Sequence, residues 1–416
     1  MRHKIIEHLD DAAFLEALYR SDRQAFRTAF YEVHEAIADR PSAAFWHQRL
    51  SYRPALSVTG KKIPWLFMLA TALLTGFLVK LPALFGLDEE KYYPRNISFI
   101  LFTALLVYFA RKHTLSVKTC IRIAAVLIAG VLFINWLPSK AESSTFILSC
   151  IHLPLFMWAL LGFVFTGARP LAAWQQRPAF LRYNGDVIIM TSLLTSAVGI
   201  LSAFTIGLFS LIGLSIGEFY AQWILVLELS ACPLVATYIL DNNPNLINKV
   251  SPIIARIFSP LVLFTLVGYL IGFAWASKDP FNDREFLLLF NLLLIGVLAI
   301  VFFSLVELNR AAAGKGALLI TLLLSVVTII VNSIALMAIL YRISSWGFTP
   351  NRLAVMGANI LFFIHLVLIA MELFRQYRKT EIEYISIEKT ISTFLPLYAC
   401  WAFFVTVVLP FIFSFS

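Results

Sequence analysis

Long apolar runs separated by short polar segments make up most of the chain between positions 63 and 413. About eleven of these runs are long enough to cross a bilayer as helices, since roughly 20 apolar residues span its hydrocarbon core. We place the spans at 63–86, 96–110, 121–138, 145–166, 187–213, 219–240, 252–276, 285–307, 316–341, 351–374 and 392–413. Backbone polar groups cannot stay unsatisfied in lipid, and the runs are too long for barrel strands. The pattern therefore predicts an all-α fold, a polytopic helical membrane bundle of about eleven spans over residues 63–416.

A mainly polar segment, residues 1–62, precedes the first apolar run. Within it, Phe26, Phe30 and Val33 recur at helical spacing, which indicates an amphipathic helix. We therefore predict that residues 1–62 form a small cytoplasmic helical head. About sixty residues cannot build a large core alone. The apolar stripe is expected to pack on itself, on the inner span ends or on the bilayer, and a cytoplasmic protein partner is the alternative.

Composition and charge support a membrane location and predict an orientation. Hydrophobic residues make up 60% of the chain, and mean hydropathy is +0.82, far above the value of a soluble domain. Roughly three quarters of the Lys and Arg residues lie in the head and in alternate loops, which marks that side as cytoplasmic. The N-terminus is then inside and the C-terminus outside. The formal charge of +9 is explained by this topology and by anionic lipid, so we expect membrane lipids and no nucleic acid as partners.

Motifs for metal, cofactor or nucleotide chemistry are absent from the sequence. Three of the four cysteines fall within spans, so no disulfide framework is expected. No CxxC or HExxH spacing indicates a metal, and no P-loop, Rossmann or GxGD pattern indicates nucleotide-driven work or proteolysis. We therefore expect no metal and no cofactor, and the sequence favours a protein that is not an enzyme.

Glu228 is the most informative polar residue within the predicted spans. It lies near the middle of the sixth span, where a charge costs several kcal/mol. Pro233, in the same span, lacks an N–H and can leave a carbonyl open one turn away. An acid beside such a break is how many transporters build a proton or cation site. The alternative is a protonated or hydrogen-bonded Glu that holds helices together.

Further polar residues within the spans are candidates to line a transport cavity with Glu228. They are His152, His365, Asn332 and Asn359. Each of them alone is typical of an interhelical hydrogen bond. A shared water-filled cavity would favour transport, whereas separate packed positions would favour a structural role.

Two further features concern helix packing. Arg256, Glu307 and Glu372 all fall near inner span ends. Arg256 could pair with either acid, in a structural contact or in an inner gate. Small-residue spacings that predict close helix contact occur at Gly213-x-x-x-Gly217 and Gly268-x-x-x-Gly272.

A short outer loop between the ninth and tenth spans carries its own helix signals. Gly347 permits a tight turn, Thr349 is a good N-cap, and Pro350 suits the first helical position. Arg342 and Arg352 flank the loop. Their guanidinium groups are expected to extend to the lipid headgroups, or to contact an anion or headgroup directly.

Two parts of the chain resemble a known bacterial family. Residues 18–26 (LYRSDRQAF) and 44–50 (AFWHQRL) are similar to the head of multi-pass proteins in the domain-of-unknown-function family 4153. Residues 341–352 (YRISSWGFTPNR) are similar to the outer loop that these proteins carry before one of their last spans. The resemblance extends over nearly the whole chain in layout and implies a bacterial cytoplasmic (inner) membrane. It implies no activity and no catalytic residues.

Three function classes remain open. A secondary transporter (permease) using a buried acid agrees with the helix count and with Glu228, although no internal repeat of the usual transporter kind is evident. A non-enzymatic scaffold or sensor, whose head binds a cytoplasmic partner, agrees equally simply. A membrane transferase acting on a lipid substrate would need acids at a roomy cleft, and the outer face offers only the short acidic run 88–90. Transport is the leading hypothesis.

Overall fold

All regular structure in the described part of the chain is helical, and no strand occurs there. The computed structural model describes residues 1–37, 39–51, 60–138, 143–169, 174–211, 214–243, 250–275, 284–310, 314–380 and 382–415. The chain divides into two compact units, Met1–Ser57 and Val58–Ser416. The prediction of an all-α polytopic helical bundle is confirmed.

The N-terminal unit is a group of four short helices around its own core. They are α1 (Arg2–Glu7), α2 (Ala12–Ser21), α3 (Arg23–Ile37) and α4 (Pro41–Ser51). The apolar stripe of α3 is buried in this core, where the rings of Phe26 and Trp46 lie 5.0 Å apart between centroids. The apolar stripe therefore packs within the N-terminal unit itself, which is one of the arrangements expected from the sequence.

The second unit contains the apolar helices. In chain order they are α5 (Trp65–Val79), α6 (Leu81–Phe85), α7 (Glu89–Lys112), α8 (Val117–Trp136), α9 (Ser144–Phe165), α10 (Arg177–Leu211), α11 (Gly217–Phe219), α12 (Val226–Asn242), α13 (Val250–Trp275), α14 (Arg284–Arg310), α15 (Lys315–Trp346), α16 (Pro350–Arg378), α17 (Tyr384–Phe403) and α18 (Leu409–Ile412). A 3-10 turn, Trp174–Gln176, precedes α10. Two π-helical segments join α11 to α12 (Tyr220–Leu225) and α17 to α18 (Phe404–Val408).

Nine helices within the described residues are long and apolar enough to cross a membrane. They are Glu89–Lys112, Val117–Trp136, Ser144–Phe165, Trp174–Gly207, Gly217–Asn242, Phe290–Leu308, Lys315–Trp346, Pro350–Arg378 and Tyr384–Ile412. Two shorter apolar helices, Trp65–Val79 and Ile257–Gly268, lie within the first and seventh predicted spans. Each predicted span therefore contains an apolar helix, as expected where the backbone must satisfy its own hydrogen bonds in lipid. The chain is a multi-pass membrane protein.

Contacts between helix ends bring the basic loops together at one end of the bundle. The C-terminal ends of α7 and α12 meet through Lys112 and Asp241. The N-terminal ends of α10 and α17 meet through Arg182 and Glu388. Lys61, just before α5, donates its backbone N–H to the Lys112 carbonyl at 2.8 Å. We call this end of the bundle the basic end.

The remaining helix ends meet at the other end of the bundle, which we call the opposite end. There Arg95, in the first part of α7, donates to the Leu137 carbonyl, just after α8, at 3.0 Å. Ser143, just before α9, donates its hydroxyl to the Phe415 carbonyl at 3.2 Å. Helix direction thus alternates along the chain, as successive crossings require.

Two hydrophobic cores lie inside this unit, and α10 contributes to both. The first core is built from α5, α7, α8, α9 and α12, with Phe109 fully shielded. The second core is built from α13 to α17, with Val301 fully shielded. On α10, Phe180 belongs to the first core and the next residue, Leu181, belongs to the second.

The small-residue spacings do not mark the close helix contacts. Among the described residues, nothing lies within 4 Å of the position that a Cβ on Gly268 would take, so the prediction at this glycine is wrong. A Cβ on Gly217 would make only an ordinary contact with Ile206, at 3.5 Å. Gly213 lies outside the described residues. A Gly-x-x-x-Gly spacing shows that one helix face carries only small residues. It does not show whether that face contacts another helix.

Gly357 is a position where two helices do come close. A Cβ on this residue of α16 would collide with the ring of Trp401 on α17. Gly357→Ala is therefore expected to lower the free energy of unfolding by about 1–3 kcal/mol through overpacking. Gly268→Ala is the control and should be neutral or slightly stabilising, because Ala favours a helix. Thermal unfolding in detergent compares the two variants, and equal shifts would contradict this contact.

Candidate functional site

Glu228 lies near the middle of the segment Gly217–Asn242, and its side chain is half-buried. Its Oε2 atom is shielded from solvent and has no hydrogen-bond partner in the described part of the chain. An ionised carboxylate at this depth is costly unless a proton, a cation or a donor compensates it. The Oε2 atom of Glu228 is therefore an acceptor for which the described residues supply no donor.

The helix that carries Glu228 is irregular on both sides of this residue. The π-helical segment Tyr220–Leu225 directly precedes α12, and such segments are frequent at functional sites. Pro233 lies inside α12 and cannot donate to the carbonyl of Leu229, four residues earlier. The Cys232 thiol donates to the Glu228 carbonyl at 3.3 Å. The backbone near the carboxyl thus departs from the regular ladder of helical hydrogen bonds.

Helix α12 packs closely on its neighbours at the level of Glu228. Its main neighbours are α5 and α10. A Cβ on Gly76 of α5 would collide with the side chain of Leu227, the residue before Glu228. The backbone beside Glu228 is therefore held closely against α5, and Glu228 does not lie at a frayed helix end.

Three of the other predicted cavity residues lie on helices of the second core. Asn359 on α16 donates to the side-chain oxygen of Asn291 on α14 at 2.9 Å. The Nδ1 atom of His365 is 3.0 Å from the Tyr398 hydroxyl, and its Nε2 atom has no partner in the described residues. Asn332 on α15 is fully buried, and neither its side-chain oxygen nor its nitrogen has a partner among those residues. An amide left open in this way is suited to bind a water molecule or a ligand.

Asn332 is the deepest member of a polar stripe along α15. The stripe consists of Thr321, Ser325, Thr328 and Asn332, all at most 2% exposed. Spacings of four, three and four residues place them on one face of the helix. Each hydroxyl donates to the carbonyl four residues earlier, at 2.6–2.9 Å. Counted from Lys315 at the basic end, the stripe extends about 25 Å into the bundle.

His152 lies apart from these residues. It is on α9, which packs mainly on α7 and α17, and its Nδ1 atom is 2.9 Å from the Leu148 carbonyl of its own helix. The candidates therefore fall into two groups. Glu228 and His152 are on helices of the first core, whereas His365, Asn332 and Asn359 are on helices of the second. A cavity shared by all five residues stays a prediction.

The predicted inner-gate residues are placed near the basic end. Glu372 accepts hydrogen bonds from Arg375 at 2.9 Å and from Gln376 at 2.7 Å, both on its own helix. Glu307, near the end of α14, is 2% exposed. The side chain of Arg256 lies outside the described residues, so its pairing with either acid stays a prediction.

Two buried ion pairs at the basic end were not predicted from the sequence. The Lys112 ammonium lies 2.6 Å from Asp241, which also accepts from the Tyr108 hydroxyl at 2.8 Å. Arg182 pairs with Glu388 and donates its Nε–H to the Val306 carbonyl at 3.0 Å, which ties α10 to both α17 and α14. An acid at a span end among basic residues is the signal that could have indicated these pairs.

The outer-loop arginines both contact Trp346, at the end of α15. The guanidinium carbons of Arg342 and Arg352 lie 5.6 and 5.7 Å from the centroid of its ring. Arg352 also donates to the carbonyls of Trp346 and Gly347, at 2.9 and 2.8 Å. Thr349 is the N-cap of α16 as predicted, and it accepts from the Arg352 N–H at 3.3 Å. The Arg352 side chain therefore stabilises the end of α15, while headgroup or anion contact stays a prediction.

Local contacts shift the pKa values of two titratable groups outside the spans. Burial, and then the Lys112 ammonium, lower the pKa of His113 at the basic end. A hydrogen bond from Lys91 lowers the pKa of Asp88, which also caps α7 by accepting from the Glu90 N–H at 3.1 Å. Among the described residues, no group of three or more His, Cys, Asp and Glu side chains is placed to hold a metal ion.

Comparisons with known proteins do not place the chain in a family. No protein-family model, no curated protein and no solved structure matches it. The resemblance of residues 18–26, 44–50 and 341–352 to the domain-of-unknown-function family 4153 therefore stays a prediction. The function has to be inferred from the residues themselves.

Proposed function

We propose that this chain is a secondary transporter (permease) in which Glu228 carries a coupling proton or cation. The observation that supports this most is the shielded Oε2 atom of Glu228, without a partner in the described residues, at the middle of a spanning segment. A carboxylate in this position is stable only when a proton or a cation compensates its charge. Exchange between these two states is the elementary step of coupled transport.

The backbone beside Glu228 supports the same role. Many transporters bind coupling ions with carbonyls that an interrupted helix leaves open. Pro233 leaves the Leu229 carbonyl without its usual donor, and the Glu228 carboxyl is on the adjacent residue. One carbonyl and one carboxylate are hard oxygen ligands of the kind that bind H3O⁺, Na⁺ or K⁺.

The polar stripe of α15 offers a route from the basic end into the second core. Its hydroxyls and the open amide of Asn332 can exchange hydrogen bonds with water or substrate as neighbouring helices move. We also propose that the basic end faces the cytoplasm of a bacterial cell, because the basic loops gather there. The N-terminus is then cytoplasmic and the C-terminus outside.

The direct test is ion flux through the reconstituted full-length chain. Proteoliposomes that contain a pH-sensitive dye are given a pH gradient together with a panel of small organic and inorganic ions. We expect at least one ion to produce a dye response that protein-free liposomes do not show. A panel with no response would contradict proton coupling.

Water access to position 228 can be tested without knowing the substrate. In a chain whose four cysteines are replaced by serine, Glu228→Cys is compared with Leu229→Cys, because Leu229 is 38% exposed on the surface of the helix bundle. A thiol reacts as the thiolate, which needs water. We expect a hydrophilic thiol reagent to label Glu228→Cys at least about tenfold faster than Leu229→Cys. Equal labelling rates would show that no aqueous path reaches Glu228.

A further inference from the structure

A cleft of about 100 Å³ opens between α9, the start of α10, and α17. Its inner wall is apolar and includes Trp158, Phe180 and Leu395. Arg169 and Arg177 line it where α9 ends and α10 begins, at the basic end. The cleft therefore combines positive charge at the membrane surface with an apolar wall that extends into the bilayer.

The two arginines are held in place by neighbouring groups. Arg177 donates to the Ser392 carbonyl of α17 at 2.6 Å. When the Gln176 amide donates to the Thr166 carbonyl, at 2.9 Å, its oxygen accepts from the Arg169 guanidinium. Arg169 is exposed, and it forms no ion pair with a described acid. The positive charge at the cleft is therefore both oriented and accessible.

Arg169 thus leaves a positive charge at the cleft that no described acid cancels, and this charge attracts an anion. Glu388, one turn before Ser392 on α17, pairs with Arg182 and connects α17 to α10 at the same end of the bundle.

The volume of the cleft and the side chains around it indicate which class of ligand fits. A volume of 100 Å³ corresponds to about three water molecules in the liquid, which suits a phosphate group but not a nucleotide or a sugar. Arg binds phosphate with a fork of N–H donors. The surface beside the cleft is apolar, because Phe163 is 38% and Leu397 is 47% exposed. Whatever is attached to the phosphate must therefore lie against apolar side chains at membrane depth.

We propose that this cleft binds the phosphate of an anionic phospholipid, with an acyl chain lying along Phe163 and Leu397. The site is independent of Glu228 and of transport. Arg169 contacts the phosphate, and Arg177, fixed by Ser392, positions the headgroup at the end of α17. A bound lipid would connect α9, α10 and α17, whose ends otherwise meet through the Arg182–Glu388 pair.

The test is native mass spectrometry of the full-length chain in detergent, titrated with phosphatidylglycerol or phosphatidylcholine. We expect phosphatidylglycerol to bind about tenfold more tightly than phosphatidylcholine. Arg169→Gln should weaken this binding about tenfold, because it removes one charge-assisted hydrogen bond. Arg122→Gln is the matched control, since Arg122 is an exposed arginine of the same end outside the cleft. It should leave binding unchanged.

A second variant addresses the cleft itself without changing charge. Ala399 lines the cleft, so Ala399→Leu should fill it and reduce phosphatidylglycerol binding while Arg169 is intact. Equal losses in Arg169→Gln and Arg122→Gln would overturn the proposal in favour of general surface attraction. Displacement of the lipid by an equal concentration of inorganic phosphate would overturn the lipid assignment, because the acyl chain would then contribute nothing.

Discussion

Replacing Glu228 with Gln is expected to reduce the pH-dependent flux of reconstituted protein to the level of empty liposomes. Gln keeps the shape of Glu but can neither release a proton nor neutralise a cation. The Oε2 atom of Glu228 has no hydrogen-bond partner in the described residues, so the change removes no contact there. The variant should therefore remain folded, with a melting temperature in detergent equal to that of the unmodified protein.

The matched control for this experiment is Glu218→Gln. Glu218 is exposed and begins the same segment, and it accepts from the Gln222 side chain at 3.2 Å. We expect this variant to retain full flux, since its charge lies at the end of the segment. Undiminished flux in Glu228→Gln would remove Glu228 from the transport mechanism.

Replacing Asp241 with Asn is expected to lower the free energy of unfolding by about 3–5 kcal/mol. The Lys112 ammonium is buried, and its Nζ atom lies 2.6 Å from the Asp241 carboxylate. Asn cannot compensate that charge, and the loss of one partner leaves the other ion buried and uncompensated. Reversible unfolding of the variant in mixed micelles measures the difference.

The control for this prediction is Asp88→Asn, which makes the same chemical change at an exposed site. Asp88 pairs with Lys91 at 2.7 Å in a solvated contact, and exposed pairs contribute little to stability. A second comparison is Lys112→Met combined with Asp241→Asn, which should recover most of the loss because no buried charge then remains. Equal destabilisation by Asp241→Asn and Asp88→Asn would show that the buried pair contributes no more than a surface pair.

Features that depend on a few neighbouring residues could be predicted from the sequence. Each apolar run contains an apolar helix because a segment of this length in lipid must satisfy its own backbone hydrogen bonds. The turn before α16 has the predicted cap at Thr349, and Gly347 adopts a φ of 75°, in the left-handed region. Each of these features is determined by residues that lie close together in the sequence.

Features that depend on which helices meet could not be predicted in the same way. Lys112 and Asp241 are 129 residues apart, and Arg182 and Glu388 are 206 residues apart. In the sequence, the basic members of these pairs indicate only topology. The buried polar residues were recognised individually, but their division between two cores depends on the packing of α10, α12 and α16.

The sharing of α10 between the two cores constrains how the membrane unit can move. Phe180 is anchored in one core and Leu181 in the other, so adjacent residues fix the helix to both halves. At 35 residues, or about 50 Å, α10 is longer than the hydrocarbon thickness of a bilayer. Any rocking of one core against the other must therefore shift or bend this helix, together with α9, whose Trp158 packs against both cores.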